Sequence, residues 1–182
     1  MARDFDGSND RINFGDSTTL EGQLGMTVAA WINPDNVSTN TMDATIASRG
    51  RGGVTGWNLN KKINASNDEL TFTKHGVVEI SSTSINLSAA TWQLVAAVVS
   101  STQVRFHKFP AGSSLTSQNI ANTSAFAVGT PTESNIGSVL NSAGTAVNFW
   151  DSLICEVAKW NRELSDAEIT ALGKGFSPLF MP

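Results

Sequence analysis

The sequence predicts an all-β protein: a two-sheet antiparallel jelly-roll sandwich carrying one short C-terminal helix. Three observations predict it. Apolar runs of about 5–9 residues recur along the chain, separated by turn residues. Charged residues make up only 15% of the 182 residues, while Ser, Thr, Asn and Gly abound, a composition that suits pleated surfaces better than helical ones. The stretch Phe149–Ile169 reads as an apolar strand running straight into a capped helical turn. Many short strands with polar returns between them bury their apolar faces best as two stacked sheets.

The elements follow in order. Asp6-Gly7-Ser8-Asn9-Asp10 is a turn, and Arg11–Phe14 is the first strand. Met26–Ile32 places Met, Val, Ala and Ile on one face and Thr, Ala and Trp on the other; Asn33-Pro34-Asp35 closes it. Thr45–Ser48 is a short strand and Arg49–Thr55 a glycine-rich turn. Trp57–Lys61, Leu70–Lys74 and Val77–Ser81 make a meander, with His75-Gly76 as the tight turn. Trp92–Ser100 is nearly all apolar, as befits a central strand covered on both faces. Gln103–Lys108 follows and ends at Phe109–Gly112; Ser113–Thr132 is mostly loop, with room for one strand. Ser134–Val139 and Leu153–Asn161 complete the sheets. Ser165, with Glu168 three residues later, is a capping box; Ile169 and Leu172 face inward, and Gly173 and Gly175 stop the helix. No repeat, linker or composition shift divides the chain, so residues 1–182 read as one domain, with 173–182 as an apolar C-terminal tail.

Composition excludes several functions. Net charge is −4 and the basic residues are scattered; Arg49, Arg51, Lys61 and Lys62 read as a solvated loop face. Without a basic stripe, no nucleic-acid partner is expected. One cysteine, Cys155, rules out an internal disulfide and reads as a buried, inert thiol. No apolar run approaches the ~20 residues of a membrane span. The start, Met1–Gly7, lacks a secretory signal's apolar region, so synthesis in a cytoplasm is expected, with any outer surface reached by assembly or lysis.

Candidate chemistry is sparse. No Ser-His-Asp or Cys-His arrangement is suggested, because His75 and His107 lie in turn or edge contexts. Glu156 is alone on its strand, and Glu69 and Glu79 lie on different runs. Asp4, Asp6 and Asp10 superficially resemble a calcium loop, but the glycine is misplaced and the twelfth position is Gly15, so an Asx-type turn is the reading. No catalytic residue, metal or cofactor is therefore expected. Trp31, Trp57, Trp92 and Trp160 are read as filling the space between the sheets, with sugar stacking as the alternative. Trp150, beside Asp151 at a strand entrance, is the candidate exposed contact, for a glycan or a partner protein. Phe176, Leu179, Phe180 and Met181 make the tail an interface candidate, or a segment pinned onto its own domain. The sequons at Asn36, Asn64, Asn86 and Asn122 are read as accidental.

The runs Phe5–Ile12, Met26–Ile32, Thr91–Val98, Asn135–Ser138 and Glu156–Ile169 resemble, in order, the laminin-G-like family of the concanavalin A-like lectin/glucanase superfamily, of the free-standing kind found in tailed-phage genomes. The resemblance implies the concanavalin A-like sandwich. The superfamily's glucanases carry carboxylates at i, i+2 and about i+5 of one strand; no strand here does, which implies a protein that is not an enzyme. The family's Ile-Asp-Glu-Val is Ile154-Cys155-Glu156-Val157 here, replacing a hard oxygen ligand by sulfur and implying that a family-type calcium site is lost. The family favours glycine where Asp151 stands. With the ending Gly175-Phe-Ser-Pro-Leu179, the resemblance implies a structural decoration protein on the surface of a virion, a tailed-phage capsid or appendage, held by capsid or other virion proteins. Self-association is expected, as a trimer. The alternative is a carbohydrate-binding, lectin-like adhesion module with a glycan partner.

Overall fold

The structure, a computed structural model, describes residues 2–35, 43–64, 67–129 and 133–175, with side chains left out at 63, 64 and 67. Its strands in chain order are β1 (Arg3–Asp6), β2 (Ile12–Asn13), β3 (Met26–Pro34), β4 (Ala44–Arg51), β5 (Thr55–Asn64), β6 (Asn67–Lys74) and β7 (Val78–Asn86). They continue as β8 (Gln93–Val99), β9 (Gln103–Pro110), β10 (Thr116–Ala121), β11 (Ser134–Ile136), β12 (Val139–Leu140), β13 (Ala146–Val147) and β14 (Asp151–Trp160). One helix, α1 (Asp166–Gly173), follows. The first sheet runs β1-β14-β3-β8-β9-β10; the second runs β13-β12-β4-β5-β6-β7, with β11 bridging β2 and β4.

Alternation decides which side chains meet between the sheets. From the first sheet come Val28, Ala30, Ile32, Val95, Ala97, Val99 and Phe106; from the second come Ile46, Trp57, Leu59, Leu70 and Phe72. Trp57 stacks on Phe72 with centroids 6.1 Å apart, and Phe126 meets Phe72 edge-on at 6.3 Å. The opposite residues of the central strand β8, Leu94, Ala96 and Val98, pack on a second, smaller core with Phe109, Leu164, Ile169 and Leu172. Helix α1 thus covers the outer face of the first sheet, which explains the unbroken apolar run of β8. Gly173 lets the helix end close on the sheet: a Cβ there would fall 2.4 Å from the Phe109 ring. The capping box is formed, with Glu168 N donating to Ser165 Oγ (3.3 Å) and Ser165 N donating to Glu168 Oε2 (2.8 Å).

Several expectations need correction. Arg3–Asp6 is a strand before the turn, because Phe5 drops into the core while the segment pairs with β14. Arg49–Arg51 continues β4 instead of turning, since Gly50 and Gly56 face each other across the hairpin and let the two backbones close in. The supposed basic loop face does not exist as such. Arg49 is fully buried and donates to Asp16 at 2.6 Å, and Lys61 is buried against Asp68 at 3.3 Å. Of the four tryptophans, Trp57 lies between the sheets, whereas Trp31 and Trp160 pack half-buried beneath α1 and Trp92 is half-buried at the start of β8.

Candidate functional site

Among the described residues no helix lies over the outer face of the second sheet, and its side chains are polar. On β5, Trp57 and Leu59 point inward, so Asn58 and Asn60 point out; on β6, Leu70 and Phe72 point inward, so Thr71 and Thr73 point out. The register lines them up: Ser48, Asn58, Thr73 and Glu79 form one rung across four strands, and Thr45, Asn60, Thr71 and Ser81 the next. Despite facing outward, Asn58 is only 4% exposed and Asn60 3%.

These residues lie in an open hollow of about 310 Å³. Asn58, Asn60 and Thr73 face it from the central strands, His75 from the β6–β7 turn, Glu79 from β7, and Asp43, Leu140, Asn141, Ser142 and Asn148 from the opposite side. That opposite wall is tied to β4: Gly52 N donates to Leu140 O (2.7 Å), Thr45 N to Asn148 O (2.9 Å) and Ser48 Oγ to Ser138 O (2.7 Å). Asn141 holds its own turn by accepting from Ala143 N and Thr145 N, both at 3.0 Å. The wall is therefore built before any ligand arrives.

Asn58 Nδ2 donates to Asn60 Oδ1 at 2.7 Å, which orients both amides. Among the described residues, Asn58 Oδ1 and His75 Nε2 are buried without a partner. Leaving such groups unmatched costs about 1–3 kcal/mol each, so their presence needs a reason. Burial pushes His75 down to about 4, so its ring is neutral at physiological pH and offers one donor and one acceptor. Glu79 is ion-paired with Lys62, whose ammonium is held above its ordinary value by that hydrogen bond. Burial pushes the Asp43 carboxyl up, with Lys62 pulling it back and Glu79 adding to the rise. Among the described residues that line the hollow there is no tryptophan or phenylalanine. The arrangement can bind hydroxyl-rich molecules by hydrogen bonds instead of by stacking.

A second hollow, about 420 Å³ and apolar, opens on the first sheet between Trp31, Phe109, Ala111–Ser113 and the end of α1 at Gly173–Gly175. Of the contact candidates read from the sequence, Trp31 lines this second hollow, while Trp150 and Asp151 line neither. Trp150 is 1% exposed and sits in the inter-sheet core, so it is not a surface contact; its backbone N donates to Gly137 O at 2.8 Å, which aims the ring inward. Asp151 is exposed at the start of β14, paired with Asp6, and lines neither hollow. Phe176, Leu179, Phe180 and Met181 lie outside the described residues. Asp6 does make the expected Asx turn, accepting from Ser8 N, Asn9 N and Asp10 N, which holds its carboxyl below the usual range. Cys155 is half-buried, and burial reinforced by Glu156 pushes its thiol up; a protonated sulfur does not fit a calcium ligand set. The sequence reading missed Asn58, Asn60, Asp43 and His75 as a group, and it left Glu79 unassigned. The alternation Trp-Asn-Leu-Asn on β5 was the available signal.

A family model described as the concanavalin A-like lectin/glucanases superfamily matches residues 6–170. No curated protein sequence matches the chain. Among solved structures, domain 4 of an extracellular arabinanase from Geobacillus stearothermophilus, in complex with arabinotriose, is similar with a TM-score of 0.70 and 16% identity, covering 94% of this chain and 76% of that one. The CBM40 of the Ruminococcus gnavus IT-sialidase, bound to α2,3-sialyllactose, has a TM-score of 0.63 and 12% identity, covering 95% and 97%. The enzymatically active domain of tailspike protein 2 from bacteriophage CBA120 has a TM-score of 0.66 and 12% identity, covering 97% of this chain but 28% of that one. At these identities the likeness is one of fold.

Proposed function

The chain belongs to the laminin-G-like branch of the concanavalin A-like lectin/glucanase superfamily, and from that premise we propose that it is a glycan-binding module whose site is the polar hollow of the second sheet. One observation carries the reading: Asn58 Oδ1 and His75 Nε2 are buried, unpartnered and placed in a hollow lined by further amides and hydroxyls. A sugar's adjacent hydroxyls both donate and accept, and would complete these bonds. A glycan array tests it. The wild-type protein is expected to bind, and Asn58→Ala to weaken binding by about 1–2 kcal/mol, the worth of one or two hydrogen bonds. Ala also removes the bond that Asn58 Nδ2 gives to Asn60 Oδ1, so the melting temperature should fall, and the variant's fold is checked by circular dichroism before its binding is read. Unchanged glycan binding in this variant would remove the hollow from the reading.

The module acts without catalysis in this proposal. Glu79 is engaged by Lys62, and the sequence supplies no strand with the glucanase carboxylate set. Incubation with bound oligosaccharides should release no new reducing ends; release that depends on Asp43 and Glu79 would make it a hydrolase.

A second reading keeps the domain on a virion surface, as a decoration protein held by capsid or appendage proteins and self-associated as a trimer. The open apolar hollow at Trp31 and Phe109 favours a protein contact of that kind. Light scattering on the purified protein separates the two: a stable trimer with a blank glycan array supports decoration, and a glycan-binding monomer supports the module.

A further inference from the structure

The charges around the hollow narrow the class of glycan, an inference that rests on the glycan-binding reading above. Two carboxylates, Asp43 and Glu79, line it; among the described residues no lysine or arginine does. None of the basic residues nearby in sequence belongs to the lining, and three of them are paired with acids. Lys62 is paired with Glu79, Lys61 points to Asp68 and Arg49 to Asp16. Arg51 lies against Gly144, where a Cβ would come within 3.3 Å of its guanidinium carbon, and it is not part of the lining. The neutral ring of His75 adds no positive charge. Asn58, Asn60, Thr73, Asn141 and Ser142 supply uncharged donors and acceptors only. A carboxylate or sulfate on a ligand is normally met by arginine or lysine in a charge-assisted bond; here the described lining offers it the Asp43 carboxylate, a Glu79 whose charge Lys62 already balances, and no lysine or arginine.

We propose that the hollow selects uncharged sugar chains and turns away sialylated, uronic-acid-bearing and sulfated ones, with Asp43 as the excluding group. The selection is made by repulsion, so it is strongest at low ionic strength.

The test uses the whole chain and matched glycan pairs: one backbone with and without a sialic acid, a uronic acid or a sulfate. Affinities are measured by calorimetry at about 20 mM and about 500 mM salt, where screening differs severalfold. The neutral member is expected to bind at least tenfold more tightly at low salt, with the gap shrinking at high salt. Asp43→Asn is expected to raise affinity for the acidic member at least threefold. Equal or tighter binding of the acidic member by the wild-type protein overturns the proposal. A neutral preference indifferent to both salt and Asp43→Asn also overturns it, because charge would then not be the cause. If neither member of any pair binds, the glycan-binding reading itself falls, and this inference with it.

Discussion

His75 and His107 are each close to fully buried, and burial holds both near 4 against an ordinary value of 6.5. Arg105 Nε donates to His107 Nε2 at 3.2 Å, a bond only a neutral ring can accept. The unfolded chain therefore takes up protons first as the pH falls. Stability is full above pH 6.5 and declines toward pH 4, by up to ~3 kcal/mol per histidine. Glu168, held near 2 first by Arg162 and then by Ser165, extends the decline below pH 4.5. Asp43 and Asp68, raised by burial, oppose it. Melting temperature followed from pH 8 to pH 3 should fall most between 6.5 and 4, and His107→Gln should flatten that step; a level profile contradicts the burial of neutral rings. At the far end of the chain, Ser165→Ala should cost about 1 kcal/mol through the lost cap, read by urea unfolding. The cap and the Asp6 turn were legible in the sequence because they are made by neighbours in the chain. The burial of Arg49 and of Trp150 was not, because each depends on a partner far along the chain, Asp16 for one and Gly137 for the other.

At the scale of elements, close backbone approach and large side chains set the limits. Gly56 has φ +109°, and a Cβ there would stand 1.8 Å from Arg49 O across the β4–β5 hairpin. Gly56→Ala should therefore destabilise by more than ~1 kcal/mol, through strain and a parted ladder, where a replacement at a compatible position would stabilise. The hairpin also carries Asn58 and Asn60, so the same change should weaken glycan binding; unfolding curves and binding isotherms on one sample check both. Trp150→Ala, which empties a core site instead of a surface one, should cost about 3–5 kcal/mol. A cost near zero would return Trp150 to the surface role first read for it. The unbroken apolar run of β8 correctly announced cover on both faces. Strand ends were less legible: Arg49–Arg51 looked like a turn because glycines mark turns and tight strand pairs alike.

For the whole molecule, the asymmetry of the two outer faces is the decisive feature. The first sheet spends its outer face on α1 and the second core. The second sheet leaves a face of amides and hydroxyls beneath a wall tied to β4. The fold was legible because alternation, capping and turn residues all pointed one way. The site was not, because Asp43, Asn58, His75, Glu79 and Asn141 sit on separate segments and converge only through strand register. Each looked, by itself, like an ordinary surface residue. The most direct measurement is backbone amide chemical-shift mapping with a bound neutral oligosaccharide. The account predicts shifts concentrated at Asn58, Asn60, Thr73, His75, Asn141 and Ser142. Shifts concentrated instead around Trp31 and Phe109 on the first sheet would contradict it.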